Sequence, residues 1–162
     1  QKTFINQITK HNNLVILRSL SKIGLAGLRV GFGVADPLII NEINKVRLPY
    51  NSNIISQTFA EHLLTNFGLV QSQINSILEE RKRLIDELQK IESITPFPSD
   101  SNFILFKTER SAENIFTYLI ENEILVRNLN SHPKLNNCLR VTVGTKNEND
   151  LFTSKLKNFI SQ

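Results

Sequence analysis

The sequence predicts an α/β protein made of two parts, and three features indicate this fold class. Short apolar segments rich in β-branched residues, such as 14–18, alternate with amphipathic segments of helical period. One helical pattern, 70–91, is much longer than the others. A segment containing two prolines and two serines, 96–101, follows it and marks a boundary before a compact strand–helix–strand–strand–helix alternation.

The length and composition fit a folded, soluble protein. A chain of 162 residues suits one ordinary domain, or one domain and part of another, and its 40% hydrophobic content is enough for a core. No apolar run is long enough to span a bilayer, and the N-terminus lacks a secretory signal pattern. The single cysteine, Cys138, cannot form an internal disulfide. We therefore expect a cytoplasmic protein with no membrane partner.

The charges do not indicate nucleic-acid or metal binding. The net charge is +4, but lysines and arginines are scattered among carboxylates instead of forming one basic face. The three histidines and the cysteine have no metal-ligand spacing, so we expect no metal site and assign these side chains to surface or packing roles; they are His11, His62, His132 and Cys138.

The first part reads as two strands and two helices. A buried strand is predicted at 14–18 and a second strand at 28–35, where glycines would allow another backbone or a ligand to approach closely. Asp36 followed by Pro37 predicts the start of a helix, with aspartate as its cap. Ser52 is expected to cap the next helix, and Gly68 to end it.

The second part begins with the long helix. Its apolar positions repeat with helical period, and Glu79–Arg83 and Asp86–Lys90 are favourably oriented i,i+4 pairs. Beyond the boundary we predict a strand at 103–107, a helix at 111–121 capped by Ser111, strands at 124–127 and 138–143, and a helix from 146 with a Thr145–Glu148 capping box.

The stretch from Ser19 to Phe32 carries the clearest chemical signal. It reads Ser-Leu-Ser-Lys-Ile-Gly-Leu-Ala-Gly-Leu-Arg-Val-Gly-Phe. Ser19, Ser21 and Arg29 could supply hydroxyls and a permanently charged guanidinium to a phosphate, and glycines let backbone amides approach it. Lys22 could form a Schiff base with a carbonyl if its amine is kept neutral. The alternative is that Lys22 is a solvated loop lysine and Arg29 a surface charge at a strand edge.

Two further arginines fall on the last two predicted strands. Alternation over 138–143 places Arg140 on one face with Cys138 and Thr142, and leaves the apolar residues for the core. Arg127 ends the preceding predicted strand. If the two strands pair, both guanidinium groups can face one pocket; the alternative is that both are surface charges.

These segments resemble fold type I pyridoxal-phosphate (PLP) aminotransferases, and within them the histidinol-phosphate aminotransferase group. The likeness is carried by the stretch from Ser19 to Phe32, by Ser-Asn-Phe-Ile-Leu-Phe at 101–106, by Ile-Leu-Val-Arg at 124–127, and by Asn-Cys-Leu-Arg-Val-Thr-Val-Gly-Thr at 137–145. It runs in order over essentially the whole chain, which makes it far more specific than any one motif.

The resemblance implies roles for individual residues. Lys22 is expected to carry PLP, with Ser19, Ser21 and Arg29 holding the cofactor phosphate. Arg140 is expected to bind the anionic end of the substrate, and Arg127 to be a second substrate contact. The implied reaction transfers an amino group between L-histidinol phosphate and 2-oxoglutarate, and the implied assembly is a homodimer.

The resemblance also implies that more chain precedes Gln1. The sequence contains no methionine, and the family's ring-nitrogen aspartate and stacking aromatic have no counterpart before His11. We therefore expect a C-terminal half: a remnant of the large α/β domain (1–68), a connecting helix (69–95) and a small α+β domain (96–162). Such a piece should be inactive alone. The alternatives are another PLP aminotransferase or a phospho-amino-acid decarboxylase of this fold, or a non-catalytic binding domain.

Overall fold

A computed structural model describes residues 3–162, and the chain divides into two compact units between Gln71 and Ser72. We call them the N-terminal unit and the C-terminal unit. The long helix begins in the first unit and continues into the second. The three-part domain division expected from the sequence stays a prediction.

The N-terminal unit contains a two-stranded antiparallel sheet and two helices. Strand β1 (Ile16–Ser19) pairs with β2 (Gly31–Val34), and two short 3-10 turns, Leu20–Ile23 and Ala26–Leu28, lie between them. Helices α1 (Pro37–Val46) and α2 (Ile54–Thr65) follow, and a further 3-10 turn, Ile5–Gln7, precedes β1. The structure thus confirms both predicted strands and helices, with shorter strands.

The expectation that the first strand is buried is wrong. Leu17 is 81% exposed, and β1 has mostly exposed residues along its length. The reason is that, among the described residues, β1 pairs with β2 alone, so an apolar composition that would suit the middle of a larger sheet is left exposed.

Helix boundaries in this unit follow side-chain caps. The Oδ1 atom of Asp36 accepts a hydrogen bond from the Leu38 amide at 2.9 Å, and Pro37 begins α1, as predicted. The cap of α2 is Asn53 and not Ser52, because the Asn53 amide oxygen accepts from the Ser56 amide at 2.8 Å. Gly68 does not end α2, which stops at Thr65; it lies in the first turn of the next helix.

The C-terminal unit is a four-stranded antiparallel sheet with helices on one face. Helix α3 (Phe67–Gln89) leads into β3 (Ile94–Pro96), β4 (Phe103–Thr108), α4 (Ala112–Glu121), β5 (Arg127–Asn128), β6 (Cys138–Thr142) and α5 (Lys146–Ile160). The strand order is β3-β4-β6-β5. The predicted order of strands and helices is confirmed, but the strand expected at 124–127 is wrong in position: it lies at Arg127–Asn128, so Arg127 begins it. Strand β3 is an additional strand that was not predicted.

The core of this unit lies between one sheet face and the helices. It joins every second residue of β4 and β6 to apolar residues of the three helices: Ile104, Phe106, Leu139, Val141, Leu84, Leu88, Ile115, Leu119, Phe152 and Leu156. The other face of the sheet carries the alternate residues. Leu139, Val141 and Val143 are buried as predicted, which places Arg140 on the open face.

Ion pairs join α3 to α5, but with partners other than those predicted. Arg83 binds Glu80 at 2.7 Å and Asp150 at 2.5 Å, and Glu79 is not its partner. Lys90 pairs with Glu87 instead of Asp86, and Glu87 also binds Lys157 of α5. Arg83 and Glu87 of α3 each have a second ion-pair partner on α5, which spacing along one helix does not reveal.

The predicted capping box at the start of α5 is present. The Thr145 hydroxyl accepts from the Glu148 amide, and the Glu148 carboxylate accepts from the Thr145 amide at 2.7 Å. The buried Asn149 side chain binds both the N–H and the C=O of Gly144 at 3.0 Å. A Cβ at Gly144 would lie 2.8 Å from Glu148 Oε2 and 3.1 Å from its Cβ, so a larger residue there would require the Glu148 side chain to shift.

Candidate functional site

Lys22 lies in a folded loop at the end of β1. The Ser19 hydroxyl oxygen caps the 3-10 turn by accepting from the Ser21 amide at 3.2 Å. Leu20 is buried, and its amide donates to the Val30 carbonyl, which ties the start of the loop to its end. Lys22 is exposed on this turn. The structure thus brings Ser19 and Ser21 together and presents the lysine from an anchored loop.

Arg29 occupies a constrained backbone position on the same loop. It follows the 3-10 turn Ala26–Leu28 and has φ 56°, in the left-handed region that non-glycine residues rarely adopt. Gly24, which ends the preceding turn, has φ 91°. A Cβ at Gly31 would lie 2.8 Å from the Arg18 carbonyl oxygen, so glycine allows the close approach of the two strands at the base of the loop.

This donor set fits a phosphate-bearing cofactor. Ser19 uses a lone pair in the cap, which leaves its O–H free to donate, and Arg29 is exposed. Two hydroxyls, a guanidinium and an amine therefore lie on one short loop between paired strands. The assignment of Ser19, Ser21, Lys22 and Arg29 to PLP stays a prediction.

The C-terminal unit brings the other two arginines together. Arg127 of β5 is the direct cross-strand partner of Arg140 of β6. Directly opposed residues point to the same face of a sheet with Cβ atoms about 4.5–5.5 Å apart. The two side chains thus start side by side on one face, and no ion pair to either arginine occurs among the described residues. The pair therefore favours an anion on the open face of the sheet.

Phe103 is a neighbour of Arg140 that the sequence analysis named only as part of a motif. The guanidinium carbon of Arg140 lies 4.7 Å from the centre of the Phe103 ring. The signal available in the sequence was the alternation of β4, which puts Phe103 on the same parity as Leu105, the residue opposite Arg140. The register between β4 and β6 is required to recognise the contact.

Lys107 adds a third cation to the same sheet face. It lies opposite Cys138, two residues from Arg140 along β6. Burial raises the pKa of the Cys138 thiol, and the charge of Lys107 opposes that rise. The thiol therefore stays protonated near neutral pH and is suited to packing instead of nucleophilic chemistry.

Two grooves lie elsewhere. One, of about 420 Å³, is lined by Ile54, Ile55, Thr58, Phe59 and His62 of α2, and another, of about 300 Å³, lies beside the start of α5. Neither is lined by a predicted site residue. Over residues 3–162, no cluster of three or more His, Cys, Asp or Glu side chains is placed to hold a metal ion. No helix in that range has the length and apolar content needed to cross a bilayer.

The lysine loop suited to phosphate and the sheet face that carries two paired arginines both lie in a segment that a known protein family matches. The family described as aminotransferase class I and II matches residues 2–156. The chain belongs to this family.

Curated relatives of the chain carry the name histidinol-phosphate aminotransferase. The chain is 43% identical over 157 residues to a histidinol-phosphate aminotransferase of Vesicomyosocius okutanii, covering 97% of this chain and 44% of that protein. It is 42% identical over 160 residues to the histidinol-phosphate aminotransferase of Aquifex aeolicus, covering 98% of this chain and 45% of the relative. The chain thus spans a little under half the length of these relatives and aligns with their C-terminal half.

Solved structures confirm the predicted fold, the C-terminal part of a fold type I PLP aminotransferase. The histidinol-phosphate aminotransferase of Clostridium acetobutylicum is similar with a TM-score of 0.87 at 26% identity, covering 98% of this chain and 49% of that one. The enzyme of Sinorhizobium meliloti, solved in complex with pyridoxal-5'-phosphate, is similar with a TM-score of 0.79 at 25% identity, covering 93% and 42%.

Proposed function

We propose that the whole protein is a PLP-dependent transaminase that moves an amino group between L-histidinol phosphate and 2-oxoglutarate. Its relatives named for histidinol phosphate, at 42–43% identity, support this substrate. The protein would act as a cytoplasmic homodimer in histidine biosynthesis. The 162 residues alone would be inactive, since they align with 44–45% of those relatives.

The observation that carries the proposal is the pairing of Arg127 with Arg140 across two strands. Both proposed substrates present anionic oxygens, a phosphate in one and carboxylates in the other. A guanidinium binds either group through two parallel N–H donors, which a lysine ammonium does not reproduce. An anion bound between the two arginines would relieve their mutual repulsion, so substrate binding would be favoured by the sheet itself.

The Lys22 loop would hold the cofactor. Ser19, Ser21 and Arg29 would bind its phosphate, because the loop offers hydroxyl donors and a permanent positive charge close together in the chain. When bound, PLP supplies the electron sink that lowers the barrier to removing a proton from the substrate carbon. The Lys22 Nζ would take that proton as general base and, as general acid, would deliver it to the cofactor carbon C4′ instead of the substrate carbon, which transamination requires.

Lys22 can be tested in the full-length protein. Borohydride reduction of the PLP-loaded protein, followed by peptide mapping, should place the covalent label on Lys22. Lys22→Ala should still bind PLP, without a covalent link, and lose turnover by several orders of magnitude. Lys10→Ala, which changes another exposed lysine of the N-terminal unit, should behave like the parent. A label on any other lysine contradicts the assignment.

The arginine pair predicts a difference between half-reactions. Loss of one charge-assisted contact typically costs about 1.5–3 kcal/mol, or roughly ten- to a hundredfold in binding. Arg140→Ala should therefore impair both half-reactions, whereas Arg127→Ala should affect histidinol phosphate more than 2-oxoglutarate. Pre-steady-state rates of the two half-reactions measure this. If Arg140→Ala leaves both intact, the substrate assignment loses its main local support.

A further inference from the structure

The arginines of the C-terminal unit differ in how their N–H donors are used. Arg83 donates from Nε and Nη2 to Glu80, from Nη1 to Asp150, and from Nη2 to the Lys146 carbonyl. Its donors are therefore used within the protein. Its role is to connect α3 and α5.

Arg140 is held in a different way. Its guanidinium lies over the Phe103 ring at 4.7 Å, and no hydrogen bond or ion pair of its side chain occurs among the residues that the structure describes. A cation over an aromatic face is attracted by the ring electrons. The Phe103 contact therefore stabilises the charged group without an oxygen acceptor, so N–H donors of Arg140 remain for an anionic ligand.

The position of Phe103 makes this contact a property of the sheet. Phe103 lies opposite Thr142 and Arg140 lies opposite Leu105, so the aromatic ring and the guanidinium are diagonal neighbours on adjacent strands. Diagonal neighbours are within reach of aromatic and long side chains. A ring on this diagonal restricts where the guanidinium can lie. Less side-chain entropy is then lost when a ligand binds, so the entropic cost of binding is smaller.

We propose that Phe103 is a positioning residue for anion binding, which holds the Arg140 guanidinium oriented before the ligand arrives. The inference rests on the proposed function, because it takes Arg140 as the group that meets the anionic ligand. It goes beyond that function by assigning the preorganisation of the arginine to one aromatic side chain. Tyrosine would preserve the effect and an aliphatic side chain of similar size would not.

The test uses the full-length protein loaded with PLP, so that the cofactor's own phosphate site is filled, and inorganic phosphate as the probe. Phe103→Leu should weaken phosphate binding measured by calorimetry about two- to fivefold, the range expected from an exposed cation–π contact. Phe103→Tyr should bind like the parent. With substrate, Phe103→Leu should raise KM for histidinol phosphate more than it lowers kcat.

Phe97→Leu is the matched control. Phe97 donates its amide to the Leu105 carbonyl, so the same substitution is made next to β4 at a ring that is not paired with Arg140. It should leave phosphate affinity unchanged. In an Arg140→Ala background, Phe103→Leu should have no additional effect on phosphate binding, since the group that it positions is gone.

The outcomes separate this inference from the proposed function. If Arg140→Ala weakens phosphate binding and Phe103→Leu does not, the positioning role is wrong and the anion site stands. If Arg140→Ala has no effect on phosphate binding, the proposed function loses its site. Should Phe103→Leu fail to fold, the Arg140 Nε–H resonance of the unsubstituted protein decides: an aromatic ring-current shift supports the contact, and its absence overturns the proposal.

Discussion

The two units differ in how far their apolar side chains are buried. The C-terminal unit collects fifteen buried apolar residues in one cluster between the sheet and the helices. In the described part of the N-terminal unit the buried apolar residues are Leu20, Ala60 and Val70, while fifteen of the twenty exposed large apolar residues found over residues 3–162 lie there. Both units have regular helices and paired strands, so secondary structure alone does not give a unit its own core.

The two units differ in how their helices and sheets pack into layers. In the C-terminal unit, three helices cover one sheet face, which is enough to bury whole side chains such as Phe106. The N-terminal unit has a two-stranded sheet, and such a sheet is marginally stable without further packing. The unit that carries Lys22 therefore has the smaller apolar core among the described residues.

The largest expected effect comes from removing one core ring. Phe106→Ala should lower the free energy of unfolding of the C-terminal unit by about 3–5 kcal/mol, because it leaves a cavity among fully buried side chains. Leu17→Ala, at a residue 81% exposed, should change the stability of the 162-residue chain by no more than about 0.5 kcal/mol. Urea unfolding followed by circular dichroism measures both. Equal losses would contradict the comparison.

A smaller effect is expected from helix caps. The Ser111 hydroxyl accepts from the Asn114 amide at the start of α4, a helix packed on the core. Ser111→Ala should therefore lower the unfolding free energy of the C-terminal unit by about 1 kcal/mol. Asn53→Ala removes the equivalent cap of α2, whose only buried residue is Ala60. Hydrogen exchange should show that this second change is confined to fraying of α2.

The smallest expected effect is a change in acid sensitivity. Hydrogen bonds from Lys90 and Lys157 lower the pKa of Glu87 from 4.5 to about 2. A carboxyl whose pKa is lower in the folded state stabilises the fold above its unfolded pKa, and this contribution is lost as the pH falls. The stabilisation should be complete above about pH 4.5 and disappear towards pH 2.

Glu87→Gln tests this expectation. It should reduce the loss of stability of the C-terminal unit between pH 4.5 and 2, measured by thermal unfolding at low salt. Glu42→Gln breaks a comparable lysine pair on α1, where both side chains are about two-thirds exposed, and serves as control. The same acid profile for the parent and Glu87→Gln would show that the α3–α5 pairs do not contribute.

Local signals in the sequence predicted most helix starts. Asp36, Ser111 and the Thr145–Glu148 box act where their side chains reach amides two or three residues away, so a short window contains the whole interaction. Asn53 was missed because Ser52 beside it is an equally acceptable cap type. The ion-pair partners of Arg83 could not be predicted because Asp150 is far away in sequence and because Glu80, not Glu79, contacts α5, where Asn149 donates to it at 2.8 Å.

In the candidate site, too, features determined within one strand could be predicted, and features determined between strands could not. The alternation of 138–143 was enough to place Arg140 on the open face, because a period of two needs no knowledge of neighbours. That Arg127 lies directly opposite Arg140, and that Phe103 lies under its guanidinium, depends on the register of three strands. Register is set by packing across the whole sheet, so it cannot be inferred from the sequence of any single strand.

The glycine before the capping box has a consequence for how the sequence can change. Gly144 lies so close to the Glu148 side chain that a methyl group at 144 would contact both its carboxylate and its Cβ. Positions 144 and 148 therefore form a coupled pair, because the Glu148 side chain fills the space that a side chain at 144 would need. In a library that randomises both codons, selection for folding should return large residues at 148 only with glycine at 144. The Gly-Thr dipeptide between Val143 and α5 would thus be favoured by helix geometry alone, independently of any ligand that the sheet binds.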